Sequence, residues 1–498
     1  MKSELKRQTI KETRPVAQNS NWINILGLVT LLFLYLSVAF FSYGYDDEYA
    51  NINYVEGADS LTALVQSTVY GDIHPPLSYI INYALFRMVG NWSVVRMIGA
   101  GICAFAIWSV WVHIWGNKSK GWKVYSFIPV CLNPTLLMWC TGLRWYTYMT
   151  ILVCVVELLI TFYRKKVPSC LFWGVLFFLY ILMFYVESSA TILIVVSFLL
   201  LAIDKKTIKS EWPYILVGGI IALLCVLPQI YIFVTVKYSM GKSGGEIYSL
   251  SRCILGAGQN ILCGQGAFPV SPAGAILLIG NTLLCFSLLF NLKSILKEKK
   301  HIYFFLSYLI ITLAGIGGKI RNYTPIAIRQ GDLMADLTVG IKNRWIQRVG
   351  IGLVTIGTIW SVCNVVFHVD TNKGGWNTPY ANIISYVSEK YDPEESVVWT
   401  HDPVIGWYLR EKGFSTIGEK TGWKTEVDNI SENGKTLVIV DTYKGSMPDA
   451  EYADLLNVLE QSEVKLNRSF GKDPYAWLKK KMDADYPEYY CEIYSLSP

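Results

Sequence analysis

The chain has 498 residues, of which 52% are hydrophobic and 16% charged. That charge content is well below the roughly 25% usual for soluble domains, and several apolar runs reach the ~18 residues that span hydrocarbon, which excludes a soluble fold. The net charge of +6 is gathered in short segments between those runs, a pattern of membrane topology and not of nucleic-acid binding.

Residues 1–22 are polar and basic (Lys2, Lys6, Arg7, Lys11, Arg14), unlike a cleaved leader. The first apolar run, 23–43, is therefore read as an uncleaved span. An acidic stretch, Gly44–Pro75, follows it. The segment 76–90 is apolar but only about 15 residues long, which suits an interfacial helix on the outer surface better than a span. Further runs cover 93–116, 123–141, 144–163, 168–186, 187–203, 212–236, 271–292, 302–318 and 349–368.

Charge sets the orientation. With the N-terminus inside and 76–90 lying on the outer surface, the basic groups at Lys118–Lys123, Arg164–Lys166, Lys205–Lys209 and Lys293–Lys300 all fall on the cytoplasmic side. A weaker segment, 322–341, must also cross to put Lys342, Arg344 and Arg348 there. Its Arg329, Asp332 and Asp336 then need a cavity or partners within the protein. The expectation is about eleven spans, with the C-terminus outside.

The eleven cysteines lie mostly in apolar runs, where Cys acts as a small hydrophobe. Cys253 and Cys263 fall in a predicted external loop and suit either a disulfide or free thiols, and no spacing suggests zinc.

From about residue 370 the pattern changes. Helix-like stretches (Pro379–Lys390, Ala450–Gln461) alternate with strand-like ones (Ser396–Thr400, Thr436–Asp441, Cys491–Leu496), which reads as a small external α/β domain. Gly374–Gly375 suits a hinge before it. The expected organisation is a basic cytoplasmic N-terminus (1–22), a transmembrane domain (23–369) with an external loop at 44–92, and an extracytoplasmic domain (370–498).

The first loop is the most informative stretch. It holds Asp46, Asp47, Glu48, Glu56, Asp59 and Asp72, and no Lys or Arg. A solvated acidic loop accounts for these charges. A carboxylate at the lipid–water boundary can also act as general base on an acceptor hydroxyl or amine. A phosphate leaving group then needs cationic donors. Candidates on that face are His74, Arg87, Arg96, Arg144, Lys319 and Arg321, each of which can equally be a snorkelling anchor. In Asp72-Ile73-His74-Pro75-Pro76-Leu77, the prolines fix the backbone and start a helix.

These motifs carry a resemblance. Asp47-Glu48 follows the first span, Asp72-x-His74-Pro75-Pro76-Leu77 comes next, then Ser93-Val94-Val95-Arg96, Asn133-Pro134 and Arg144-Trp145-Tyr146. This resembles the type C (GT-C) glycosyltransferases, in particular bacterial relatives of protein O-mannosyltransferases and lipid A aminoarabinose transferases. The match is strong over about 44–150 and mainly architectural beyond, where Arg321-Asn322-Tyr323 sits near an external loop.

The resemblance implies a polytopic α-helical membrane protein of GT-C-like architecture, with interfacial helices in its first external loop and a small C-terminal α/β domain. It implies inverting transfer of a sugar from a polyprenyl-phosphate-linked donor to a lipid, glycan or protein acceptor, at the outer face of a bacterial cytoplasmic membrane. Asp47 takes the position of the family's catalytic acid, with Glu48 beside it and Asp46 as an extra neighbour, so which of them is the base stays open. His74, Arg96, Arg144, Tyr146 and Arg321 are the candidates for the donor phosphate or headgroup. Asp47 and Glu48 together offer oxygen ligands for Mg²⁺ or Mn²⁺, an optional ion in the nearest relatives.

There are departures. Gly142 stands where many relatives have an acid, and Glu187 lies in the turn where many have a His. Competing readings are a transporter or flippase of lipid-linked sugars, against which the lack of an internal repeat weighs, and a non-catalytic assembly or sensor protein. The tail tryptophans (Trp376, Trp399, Trp407, Trp423, Trp477) suit carbohydrate stacking or a core equally well.

Overall fold

The structure is a computed structural model that describes residues 21–42, 44, 46–72, 74–116, 118–202, 205–237, 248–263, 272–295, 298–317, 320–367, 379–417, 434–442, 465–472 and 489–496. The side chains of Asn21, Asp46, Asp47, Ala50, Ala202, Ile320 and of 205–208 and 287–295 lie outside that description.

In hydrocarbon, a helix satisfies every backbone polar group within its own segment, so the apolar runs become helices. In chain order these are α1 (Asn21–Phe41), α2 (Asp46–Glu56), α3 (Leu61–Gly71), α4 (Leu77–Val89), α5 (Trp92–Trp115), α6 (Lys120–Cys131), α7 (Pro134–Trp139) and α8 (Trp145–Leu158). There follow α9 (Ser169–Val186), α10 (Thr191–Ala202), α11 (Lys205–Ile232), α12 (Leu250–Leu262), α13 (Pro272–Ile295), α14 (Lys299–Leu313), α15 (Ala327–Gly340) and α16 (Arg344–Phe367). Among the described residues, six helices are long and apolar enough to cross a membrane: Trp22–Phe41, Trp92–Trp115, Trp145–Tyr163, Ser169–Val186, Lys209–Val236 and Arg344–Phe367. The chain is a multi-pass membrane protein.

The run expected at 123–141 is not one helix. It breaks between α6 and α7, where Asn133 caps α7 through its side chain and Pro134 takes the first helical position. The charged segment expected at 322–341 is a 3₁₀ stretch (Ile320–Ile326) leading into α15, which is buried along most of its length. Its charges are met within the protein. Arg329 pairs with Glu157 and, at 2.9 Å, with Asp332. Lys300 reaches Asp332 at 2.8 Å and Asp336 at 2.6 Å. Gly331 lets α15 lie directly against α6, since a Cβ there would collide with the Pro129 carbonyl oxygen. Cys253 and Cys263 are both buried free thiols.

Two compact units emerge, one of Met1–Phe41 with Tyr54–Phe367 and one of Ser42–Asn53 with His368–Pro498. The start of the acidic loop thus groups with the C-terminal unit, where 23–369 had been expected as one domain. Within that second unit Tyr49 packs its ring 5.7 Å from Trp407. The sheet has the order β2-β1-β3-β5-β4, with β1 (Ser396–Thr400), β2 (Ser415–Ile417), β3 (Thr436–Thr442), β4 (Lys465–Lys472) and β5 (Tyr489–Leu496). β1 runs parallel to β2 and β3, and β5 is antiparallel to β3 and β4. The central strands β1 and β3 are buried almost throughout, as apolar strands covered on both faces should be. Helix Tyr380–Lys390 turns Ile383, Ile384 and Val387 inward. Two of the expected features, the helix at 450–461 and the Gly374–Gly375 hinge, lie outside the described residues.

Candidate functional site

The Asp-x-His-Pro-Pro turn builds the site. Asp72 ends α3, its amide bonded to the Thr68 carbonyl. Its Oδ1 accepts the backbone N–H of His74 at 3.1 Å, an Asx turn that fixes the chain ahead of the prolines. Pro76 then leads into α4. On the first turn of that helix, Tyr79 donates its hydroxyl to Asp72 Oδ2. Arg144, the residue that opens α8, donates from Nη1 to the Tyr79 oxygen at 3.2 Å and lies 4.0 Å from Asp72 Oδ2.

Glu187 reaches the same place from the end of α9. Its Oε2 is 2.5 Å from His74 Nδ1, and its Oε1 accepts the Ser189 amide at 3.1 Å. Asn82 of α4 ties the cluster to α8, donating to the Leu143 carbonyl at 2.7 Å and accepting from the Tyr148 hydroxyl. Asp72, His74, Arg144 and Glu187, four candidates scattered over 115 positions of sequence, therefore meet.

Burial alone would push both carboxyls up. For Asp72, the charges of His74 and Arg144 and the Tyr79 hydrogen bond outweigh it and hold the carboxyl below its ordinary value. For Glu187, the charge and hydrogen bond of His74 likewise outweigh burial. Both are carboxylates at neutral pH, set in a part-buried cluster against the His74 ring and the Arg144 guanidinium.

The other candidates stand as follows. Tyr146 is buried, its ring 4.0 Å from that of Trp145 and 5.4 Å from that of Trp139. Arg321 sets its guanidinium over the Trp139 ring at 5.6 Å, and Trp145 lies 6.4 Å from the His74 ring. A line of aromatic rings thus connects His74 with Arg321. Arg96 is buried in the second turn of α5. Arg87 is engaged elsewhere, donating to the Ala58 carbonyl at 2.9 Å. Glu48 is buried on α2 within the second unit. Asp46 and Asp47 open α2, with side chains outside the described part, as is Lys319 altogether. The expected ion ligands Asp47 and Glu48 thus fall partly outside it too.

Tyr79 was missed by sequence reasoning. Its only signal is its place seven residues after Asp72, on the first turn of a helix that the prolines start. Among the described residues, Glu298, His301 and Asp336 bring ligand atoms within 4.8 Å of one another. The Lys300 ammonium, 2.6 Å from Asp336 and 3.8 Å from Glu298, already supplies the positive charge there.

No protein-family model matches the chain, and no curated protein matches it. Solved structures do. ArnT from Cupriavidus metallidurans bound to undecaprenyl phosphate aligns with a TM-score of 0.53 at 11% identity, over 96% of this chain and 98% of that one. The same protein in the apo state aligns with a TM-score of 0.53 at 10% identity, over the same shares. The chain has the GT-C fold, a multi-pass helical membrane protein with a small C-terminal sheet domain.

Proposed function

We propose that the chain is a glycosyltransferase that takes a sugar from a polyprenyl-phosphate-linked donor and passes it to an acceptor at the outer face of a bacterial cytoplasmic membrane. The observation that carries this reading is the end-to-end likeness in fold to ArnT, a lipid A aminoarabinose transferase solved with undecaprenyl phosphate bound. The cluster that Asp72 and His74 of the first external loop form with Arg144 and Glu187 also supports it.

In the proposed reaction the Asp47 carboxylate takes the proton of the acceptor hydroxyl or amine. The acceptor atom bonds to the anomeric carbon from the face opposite the phosphate. The bond from that carbon to the phosphate oxygen breaks, and polyprenyl phosphate leaves with the electron pair, inverting the centre. His74 and Arg144 lower the energy of the leaving phosphate as its charge develops. Asp72 and Glu187 orient these two groups, so that little reorganisation is needed at the moment of reaction. Arg96, Arg321 and Tyr146 are assigned to the donor headgroup. Glu187 serves here in the turn where many relatives carry a histidine.

The test supplies membranes containing the full chain with radiolabelled polyprenyl-phosphate sugars and follows label into lipid, glycan and protein fractions. Label leaving the donor for any of these supports the transferase. Donor that merely moves between leaflets, with no label transferred, contradicts it in favour of transport.

A further inference from the structure

The Tyr79 hydroxyl joins two opposite charges that do not touch. It donates to Asp72 Oδ2 and accepts from Arg144 Nη1 at 3.2 Å, while the carboxylate and the guanidinium stand 4.0 Å apart. A phenol oxygen has one proton to give and lone pairs to accept with, and these point in different directions. Both hydrogen bonds are therefore kept only while Asp72 and Arg144 stay separate.

The surroundings fix all three groups. Tyr79 is 1% exposed, and the Tyr54 ring meets its ring edge-on at 5.6 Å. The Tyr54 hydroxyl in turn lies against Gly71, where a Cβ would collide with it. Asp72 is pinned through Oδ1 by the His74 amide at 3.1 Å. Asn82, three residues beyond Tyr79 and so on the same face of α4, holds the Leu143 carbonyl at 2.7 Å, next to Arg144 in the chain. Burial above all, with the Asp72 charge and hydrogen bond, pushes the Tyr79 hydroxyl well above its ordinary value against the opposing pull of Arg144. It therefore keeps its proton at neutral pH.

We propose that Tyr79 is a positioning residue, a neutral spacer that keeps Arg144 from closing into a direct ion pair with Asp72 and so keeps the guanidinium turned to a phosphate-bearing ligand. Attraction between opposite charges grows as they approach, and a closed pair would cancel much of the field that Arg144 offers an anion. The proposal rests on the phosphate role given to Arg144 above and adds the residue that preserves it.

The experiment is native mass spectrometry of the purified full chain in detergent, titrated with undecaprenyl phosphate. It compares wild type, Tyr79→Phe, Asp72→Asn and the double variant, and the same four proteins are run in the label-transfer assay. Tyr79→Phe should bind on the order of 10-fold less tightly. Removing the Asp72 charge should then restore binding in the Tyr79→Phe chain by clearly more than it changes binding beside an intact Tyr79. A hydroxyl that only stabilised the fold would give no such recovery, and the recovery itself shows that Tyr79→Phe still folds. Unchanged binding in Tyr79→Phe, or the same effect of Asp72→Asn in both backgrounds, would overturn the spacer while wild-type label transfer leaves the transferase reading intact. The expected binding pattern without label transfer by wild type would uphold the spacer and remove the transferase reading. No binding by wild type would overturn the spacer together with the phosphate site.

Discussion

His74 Nδ1 stands 2.5 Å from Glu187 Oε2, across 113 residues of sequence. The imidazole is held from the far end of α9, while its own backbone N–H is held by Asp72. A hydrogen bond to a charged partner contributes about 1.5–3 kcal/mol. Under the proposed function, Glu187→Gln should lower kcat/KM roughly 10- to 100-fold, and His74→Ala by at least as much. The double variant should be no worse than the more severe single one, because both remove one interaction. Steady-state transfer assays on the four proteins check this, and additive losses would mean that the two residues act separately.

Acid should loosen the same site in a defined window. The Asp72 and Glu187 carboxyls are both held below their ordinary values in the folded protein. Their stabilising contribution is fully present above the unfolded values, near pH 4, and is lost as the pH falls through the lower folded ones. Thermal unfolding should therefore show this contribution unchanged between about pH 8 and 5 and declining below about pH 4. Asp72→Asn combined with Glu187→Gln should flatten that decline. An unchanged acid limb in the double variant would contradict the assignment.

Much of the helical layout was legible because apolar runs in a membrane leave the backbone little choice. β1 was legible too, as a short β-branched run over Ser396–Thr400. The break between α6 and α7 was signalled by Pro129 and Asn133-Pro134, but a proline is also tolerated inside a membrane helix, so the run read as continuous. The pairing of Arg329 with Glu157 joins residues 172 apart, and no local pattern reveals such a partner. Strands β2 and β4 were missed because one is three residues long and the other, Lys465–Lys472, is polar and largely uncovered. Chemistry and resemblance singled out Asp72, His74, Arg144 and Glu187 as candidates, and the fold brings these four together. Tyr79 was not singled out, since tyrosines are common near membrane interfaces.

The charge network of α15 gives a stability prediction. Arg329 is buried, paired with the part-buried Glu157 and the buried Asp332. Removing one partner of a buried pair typically costs about 3–5 kcal/mol, whereas removing both is far milder. Arg329→Leu should sharply reduce folded protein in detergent. Adding Glu157→Leu should recover part of the loss, since Asp332 still has Lys300 at 2.8 Å. Fluorescence-detected size-exclusion profiles measure this, and no recovery would show that the pair is not the source.

Close packing gives another. At Gly331 a Cβ would collide with the Pro129 carbonyl oxygen and come within 2.7 Å of the Val130 Cα. Backbone cannot move aside as a flexible side chain can, so Gly331→Ala should destabilise by about 1–3 kcal/mol. Gly352→Ala meets nothing within 4 Å and should be nearly neutral. Equal melting temperatures for the two variants would contradict the tight contact of α15 with α6.

The most direct test of the transferase reading is label transfer from a radiolabelled polyprenyl-phosphate sugar, comparing wild type with Asp47→Asn in the same membranes. Transfer by wild type, lost in Asp47→Asn while donor is still bound, is the predicted result. Equal transfer by both would contradict Asp47 as the base and move the test to Asp46 and Glu48, and no transfer by wild type with any donor would contradict the transferase itself.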